Sequence, residues 1–278
     1  MLLPRFLTAL VGVPLLILAI WWGQIPFFVL IFGVIMISLY EYFSLAEEAG
    51  WPVSKKMGIL CGGILVLAIF LFGTQMNWNK TCSLQIFFSP AVLSILMIIL
   101  IAGALFRRDK ESAFMNIAMT WFGIFYVVWT LAHILLIREL RPEGQSYAFF
   151  LFLVIWALDI GAYFGGRTFG KNKLSEAISP KKTWEGVAAG SLTAFLTALV
   201  CRWGFLKSIT IFQALMLAMI IIIFAQLSDL SESLFKRNVN VKDSGNLLPG
   251  HGGMLDRFDS FILTAPLYYY AIVILIRP

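Results

Sequence analysis

Apolar residues run on with few interruptions over about 6 to 22, 25 to 45, 58 to 73, 85 to 106, 113 to 137, 147 to 166, 187 to 202, 208 to 228 and 258 to 276. Each run approaches the roughly 20 residues a helix needs to cross a hydrocarbon core of about 30 Å. Backbone N–H and C=O groups find no water in that core, so runs of this kind fold as helices. Composition agrees: of 278 residues 60% are hydrophobic and 13% charged, which excludes an ordinary soluble domain and a disordered chain. The expectation is an all-α, polytopic integral membrane protein with about nine transmembrane helices in a single domain, residues 1-278. Eight remain if the short third run fails to cross, or if the second or fifth is re-entrant. The first run, Phe6 to Trp22 behind Arg5, resembles a signal peptide. No small-x-small cleavage site follows it, so it reads as a retained span.

Charge orients the runs. The formal net charge of +6 is dispersed among them rather than gathered on one soluble face, which argues against nucleic acid and for anionic lipid heads or a phosphate-rich substrate. If the spans alternate, Arg5, Lys55, Lys56, Arg107, Arg108, Lys110, Arg167, Lys171, Lys173, Lys181, Lys182, Lys236, Arg237, Lys242 and Arg257 share a side. Those are fifteen of the 21 Lys and Arg; Lys80, Arg138, Arg141, Arg202, Lys207 and Arg277 lie opposite. The positive-inside rule places the larger group in the cytoplasm. Both long polar segments, about 167 to 186 and 229 to 257, then face a compartment that contains nucleotides.

The eighth run continues past its apolar part as a helical pattern, Gln226 to Arg237. At 100° per residue Asp229, Glu232, Ser233 and Lys236 share one stripe, with Leu227, Leu230 and Leu234 opposite. Carboxylates at bilayer depth cost about 2.5 to 3.5 kcal/mol each on insertion scales, so two within one turn require a cation, a partner or water. The competing reading is a wetted helix end, paired internally as Asp229 with Lys236. The loop from Val241 to Asp259 reads VKDSGNLLPGHGGMLDRFD. Pro249, Gly250, Gly252 and Gly253 around His251 forbid a helix and make a tight turn, whose N–H groups suit a phosphate. Asp256, Asp259 and Ser260 follow on one face of the ninth helix, beside Lys242, Asp243 and Arg257. Acidic and basic groups at this density fit a divalent metal holding polyphosphate.

Other features weigh less. Asp159 falls inside the sixth run and reads as lining a polar cavity, against the alternative of a hydrogen-bond partner for a neighbouring helix. Ala157, Gly161 and Gly165 form a small-x-x-x-small stripe that reads as close helix packing. GGRTFGK, from Gly165, imitates a phosphate loop but follows a membrane helix and has Asn172 where Ser or Thr would bind magnesium, so it is rejected. Lys181 and Lys182, in Ser179 to Gly186, are as consistent with orienting charge as with a phosphate site. Asn79-Lys80-Thr81 reads as a chance glycosylation match, and His133 as a packed polar residue. Cys61, Cys82, Cys201 and the two histidines lack zinc-site spacing.

From Ser233 to Asp259 the pattern S-x-F-K-R-x4-K-D-S-G-x2-L-P-G-H-G-G-x-L-D-R-x-D resembles the signature of the phosphatidate cytidylyltransferases, and S-P-K-K-T-W-E-G at Ser179 to Gly186 resembles that family's second marked segment. The likeness extends over essentially the whole chain, though residues 1-140 match in character more than in motif, and the signature shows no departure. It implies transfer of a cytidylyl group from CTP to phosphatidate, giving CDP-diacylglycerol and pyrophosphate for phospholipid synthesis. It implies magnesium in a paired-metal centre whose second ion may be monovalent, a homodimer, and a multi-pass protein of the cell membrane with its active site facing the cytoplasm. On this likeness 1-140 supply packing, a lipid groove and dimer contacts, and 147-278 the catalytic helices and loops. Asp229, Asp256, Lys242 and Arg257 become the catalytic residues, with Asp229, Asp256, Glu232 and Asp259 toward metal. Ser179, Lys181, Lys182, Thr183, Glu185, Ser233, Lys236, Arg237, Asp243, His251, Gly252, Gly253 and Asp159 become substrate contacts.

Three rivals are weaker. A CTP-dependent transferase with a polyprenol or ether-lipid acceptor would keep these residues. A transporter would carry acidic residues near mid-bilayer and related halves, and no halves match here. A structural scaffold would not need the charge density from Lys236 to Asp259. Alcohol phosphotransferases are excluded, because their repeated Asp-Gly-x2-Ala-Arg pattern is missing.

Overall fold

A computed structural model describes residues 3–73, 82–106, 110–245 and 252–276. Among these lie nine helices: α1 (Leu3–Trp22), α2 (Gln24–Glu48), α3 (Lys55–Phe72), α4 (Cys82–Leu105), α5 (Ala113–Arg138), α6 (Gly144–Phe169), α7 (Trp184–Gly204), α8 (Ile211–Asn238) and α9 (Leu255–Ile276). Seven of them, α2, α3 and α5 to α9, are long and apolar enough to cross a membrane. The described apolar stretches of α1 and α4 are the shorter Leu10–Trp22 and Pro90–Leu105. Large apolar side chains such as Leu60, Ile98, Ile160, Leu192 and Ile223 are exposed, as lipid-facing groups are. The chain forms two compact units, Met1–Glu139 with Val239–Phe258, and Leu140–Asn238 with Asp259–Pro278.

In the first unit α2 supplies the core, burying Phe27, Ile31, Ile35, Leu39, Tyr42 and Phe43. It admits α3 at close range because Gly58 and Gly62 face it: a Cβ would lie 2.3 Å from Phe43 Cζ at the first and 2.5 Å from Leu39 Cδ2 at the second. The break between α1 and α2 falls at Gly23, whose φ of +66° suits glycine. Arg138 fills the space beside it and donates from Nε to the Ile20 carbonyl at 2.7 Å. His133 is buried, its Nδ1 2.8 Å from the Trp129 carbonyl oxygen, and so is a packed polar residue.

In the second unit α6 and α7 pack through small residues. A Cβ on Gly161 would lie 2.1 Å from Thr193 Oγ1, and one on Gly165 2.2 Å from Ala189 Cβ. The Thr193 hydroxyl donates to the Ala157 carbonyl at 2.8 Å. The small-residue stripe is therefore a packing surface. Between these helices an antiparallel hairpin, β1 (Lys173–Ser175) and β2 (Ser179–Thr183), occupies a segment that the apolar pattern left without structure. Thr183 then caps α7, its hydroxyl accepting from the Gly186 N–H at 3.2 Å, which starts the helix three residues before the apolar run. At 1.5 Å per residue the 28 residues of α8 span about 42 Å, more than a hydrocarbon core, so its charged end extends beyond the apolar part.

α9 is interrupted at Leu263, between Leu255–Ile262 and Thr264–Ala271. The Ser228 hydroxyl, from α8, donates to the Asp259 carbonyl and accepts from the Leu263 N–H at 3.0 Å. It thereby enters the bond that those two groups would make with each other in a continuous helix. Pro266, lacking an N–H, removes the next support, since nothing donates to the Ile262 carbonyl from that position.

Candidate active site

The polar groups of the second unit gather at the charged end of α8. Asp229 Oδ2 meets Lys182 Nζ of β2 at 2.5 Å, and Lys236 meets Glu232, one turn away on its own helix, at 2.7 Å. Glu232 is fully buried, so its lysine is what makes the charge tolerable there. The Ser233 hydroxyl leans on Asp229 Oδ1 at 3.4 Å. Asp259 feels the charges of Asp229, Asp159 and Lys236. The helical stripe read from sequence thus exists, with different partners: Asp229 is held by the hairpin lysine rather than by Lys236. Arg237 also reaches the hairpin, donating from Nε to the Ile178 carbonyl at 3.5 Å.

Four carboxylates, Asp159, Asp229, Glu232 and Asp259, therefore stand against two ammonium groups, Lys182 and Lys236. All four offer hard oxygen donors of the kind that divalent cations take. Among the described residues, however, no three acidic, His or Cys side chains converge closely enough to form a ligand set. The donors match magnesium in chemistry, while ammonium groups hold two of them directly.

The Glu185 carboxylate, expected among the phosphate contacts, accepts from the Lys171 N–H at 3.1 Å, the Asn172 N–H at 3.2 Å and the Asn172 side-chain amide at 2.7 Å, closing the turn after α6. Lys181 is exposed on β2, and Ser179 pairs with Ser175 across the hairpin.

The first unit holds the rest of the signature. Asp256, on the first turn of α9, accepts at Oδ2 from the N–H of Ser244 at 2.9 Å and of Gly253 at 2.8 Å, and its own N–H donates to the Ser244 hydroxyl at 3.3 Å. Gly252 has a φ of +80°, and a Cβ there would lie 2.7 Å from Asp256 Oδ2. Glu41, a buried residue of α2, accepts at Oε1 from the Met254 N–H at 2.9 Å, and at Oε2 from the Leu255 N–H at 2.8 Å and the Ser244 hydroxyl at 3.1 Å. The glycine-rich turn does present N–H groups to anions, but the anions at Gly253, Met254 and Leu255 are Asp256 and Glu41. Lys242, Asp243 and Arg257 are exposed. His251, Pro249 and Gly250 lie outside the described residues. Asp229 belongs to the second unit and Asp256 to the first, so the pairing expected of them is a property of neither unit alone.

The sequence reading missed Glu41 and Ser228. The signal for Glu41 was available: in Leu-Tyr-Glu-Tyr-Phe a lone carboxylate interrupts an apolar run, and an ionisable group at such depth needs a partner. Ser228 gave no signal, since a serine in a helix is usually satisfied by its own preceding turn.

The sequence profile of the cytidylyltransferase family matches residues 3–275. The chain belongs to the cytidylyltransferase family. The phosphatidate cytidylyltransferase of Bacillus subtilis (strain 168) is 33% identical over 275 residues, covering 97% of each chain. That of Staphylococcus saprophyticus is 34% identical over 245 residues, 86% of this chain and 90% of the relative. That of Staphylococcus aureus (strain COL) is 40% identical over 157 residues, 56% of this chain and 57% of the relative. In this cytidylyltransferase the two segments that carry the resemblance are the hairpin with its cap, and the stretch from the end of α8 to the start of α9.

Proposed function

We propose that these charged groups are the machinery of cytidylyl transfer from CTP to phosphatidate. The chain is a nucleotidyltransferase of phospholipid synthesis, a multi-pass membrane enzyme whose products are CDP-diacylglycerol and pyrophosphate. An oxygen of the lipid phosphate attacks the α-phosphorus of CTP; that P–O bond forms as the bond to the β-phosphate breaks, and pyrophosphate leaves. Two anions must meet, so charge neutralisation and alignment supply the catalysis and no nucleophilic side chain is required.

One observation carries the assignment of residues: the gathering of Asp159, Glu232 and Asp259 about Asp229 in the second unit. Left so, it would repel a polyphosphate. A magnesium ion supplies the compensating charge, with Asp229 its ligand in this cluster, and the resemblance to the family signature draws Asp256 toward metal as well. Asp159, Glu232 and Asp259 add negative potential around it. Lys182 and Lys236 hold two of these carboxylates, while Lys242 and Arg257 bring exposed positive charge from the signature toward phosphate. The fifteen-to-six charge split supports a site facing the cytoplasm, where CTP is found. A homodimer and a location in the bacterial cell membrane rest on the resemblance.

The test is to incubate purified protein in detergent with labelled CTP, phosphatidate and magnesium. Pyrophosphate and a labelled liponucleotide should form together, and neither should form without the lipid or the metal. CTP hydrolysis that proceeds without phosphatidate would refute the reading.

A further inference from the structure

Glu41 has no place in the motifs that define the reaction, and it is 213 residues from the loop it binds. It is 6% exposed, with all its described donors on that loop: the Met254 and Leu255 amides and the Ser244 hydroxyl. The first two are amides at the start of α9, groups that have no intrahelical acceptor and lie at the positive end of the helix dipole. Ser244 is the node. It gives its hydroxyl proton to Glu41 and its N–H to Asp256, and its oxygen accepts the Asp256 N–H. Glu41 and Asp256 therefore meet at Ser244, Glu41 holding also the Met254 and Leu255 amides and Asp256 the Gly253 amide. Gly253 is squeezed between them: a Cβ there would lie 2.1 Å from Ser244 Oγ and 2.5 Å from Glu41 Oε2.

A buried carboxylate is a costly means of closing a loop that an apolar contact could also close. What the carboxylate adds is direction, because three donors converging on two oxygens fix the orientation of the α9 start, and Asp256 is its second residue. We infer that Glu41 is a positioning residue for cytidylyl transfer, clamping residues 244, 254 and 255 so that the Asp256 carboxylate is presented in one orientation. This rests on the reading that Asp256 belongs to the catalytic machinery.

The experiment compares the full-length enzyme with Glu41→Gln, Ser244→Ala and Asp256→Asn, all in detergent. Turnover is measured against both substrates, and hydrogen–deuterium exchange is followed in peptides covering 240–245 and 252–258. Gln keeps the size of Glu but places an amide donor where the structure needs an acceptor, so three donors face one acceptor oxygen. We expect Glu41→Gln to lower kcat by about tenfold to a hundredfold with the KM for phosphatidate within about twofold, the pattern of a lost transition-state interaction. Exchange should rise in those two peptides and stay unchanged in α6 and α7. Ser244→Ala, which removes the node but leaves the two amide bonds to Glu41, should fall between wild type and Glu41→Gln, and it decides the matter if Glu41→Gln does not fold. Normal turnover in Glu41→Gln, or in Ser244→Ala alone, while Asp256→Asn is inactive would overturn the inference. Exchange raised equally throughout the protein would overturn it too, by reducing Glu41 to a general stabiliser. Activity retained in Asp256→Asn would instead refute the role given to Asp256, and the exchange arm would still show whether Glu41 orders the loop.

Discussion

Ser228→Ala tests whether the break in α9 positions Asp259. The wild-type hydroxyl is fully buried and makes two bonds, donating to the Asp259 carbonyl and accepting from the Leu263 N–H. Alanine removes both while changing volume by one oxygen, so cavity formation contributes little. If α9 keeps its shape, the two backbone groups stay buried without partners. At a net contribution of about 1 kcal/mol per hydrogen bond, the loss is about 2 kcal/mol, and larger if neither group reaches water. For a chain of this size that corresponds to a fall of several degrees in the unfolding midpoint. If α9 relaxes, Leu263 N–H and Asp259 C=O bond each other directly and stability recovers, but the helix straightens and Asp259 moves away from Asp229 and Asp159. Either outcome costs something: stability in the first, turnover in the second. Thermal unfolding in detergent and steady-state CTP turnover separate them. Ser228→Thr, which retains the hydroxyl, should restore whichever is lost. An alanine variant with wild-type midpoint and wild-type turnover would refute the argument that this hydroxyl holds the break.

Asp229→Asn should insert and purify normally yet lose turnover and its dependence on magnesium, whereas Asp243→Asn, exposed and outside the cluster, should cost less; near-normal activity in Asp229→Asn would return that residue to a wetted helix end. Arg257→Ala and Lys242→Ala should each lower turnover strongly, and Arg257→Lys should recover little if the guanidinium makes a two-pronged phosphate contact. Full recovery by lysine would show that a point charge suffices. In intact cells a cysteine at position 207 should react with a membrane-impermeant reagent and one at 242 should not, and the reverse pattern would overturn the orientation drawn from the charge split.

Apolar run length was a reliable guide to the helices because hydrocarbon allows the backbone so few alternatives. The observed bounds differ from the apolar runs chiefly where polar residues extend a helix, as at Asp229 to Asn238 of α8 and Trp184 to Gly186 of α7. Glycine spacing was equally legible at Gly161 and Gly165, since a close approach of two helices excludes larger side chains whatever the fold around it. Partners were not legible. Two turns of spacing put Lys236 on the stripe of Asp229, but the hairpin brought Lys182 to Asp229, and Lys236 turned to Glu232. Which carboxylate takes the Met254 and Leu255 amides was not legible, because Glu41 lies in a helix more than two hundred residues away.

The placing of Asp229 along α8 carries a further constraint. From Ile211 to Asp229 is eighteen residues, about 27 Å of helix, which is close to the roughly 30 Å thickness of a hydrocarbon core. A carboxylate at that height meets lipid phosphate groups in their own plane, so phosphatidate can reach it sideways with its acyl chains still in the bilayer, and CTP can reach it from water. One turn earlier the helix has Ala225, buried among apolar neighbours, where a carboxylate would carry the full cost of insertion. One turn later stands Ser233, half-buried beside the fully buried Glu232, whose charge Lys236 meets on the same helix. The end of the apolar run is thus where the role proposed for Asp229 asks a carboxylate to be, since a lipid headgroup and a soluble nucleotide both reach that height.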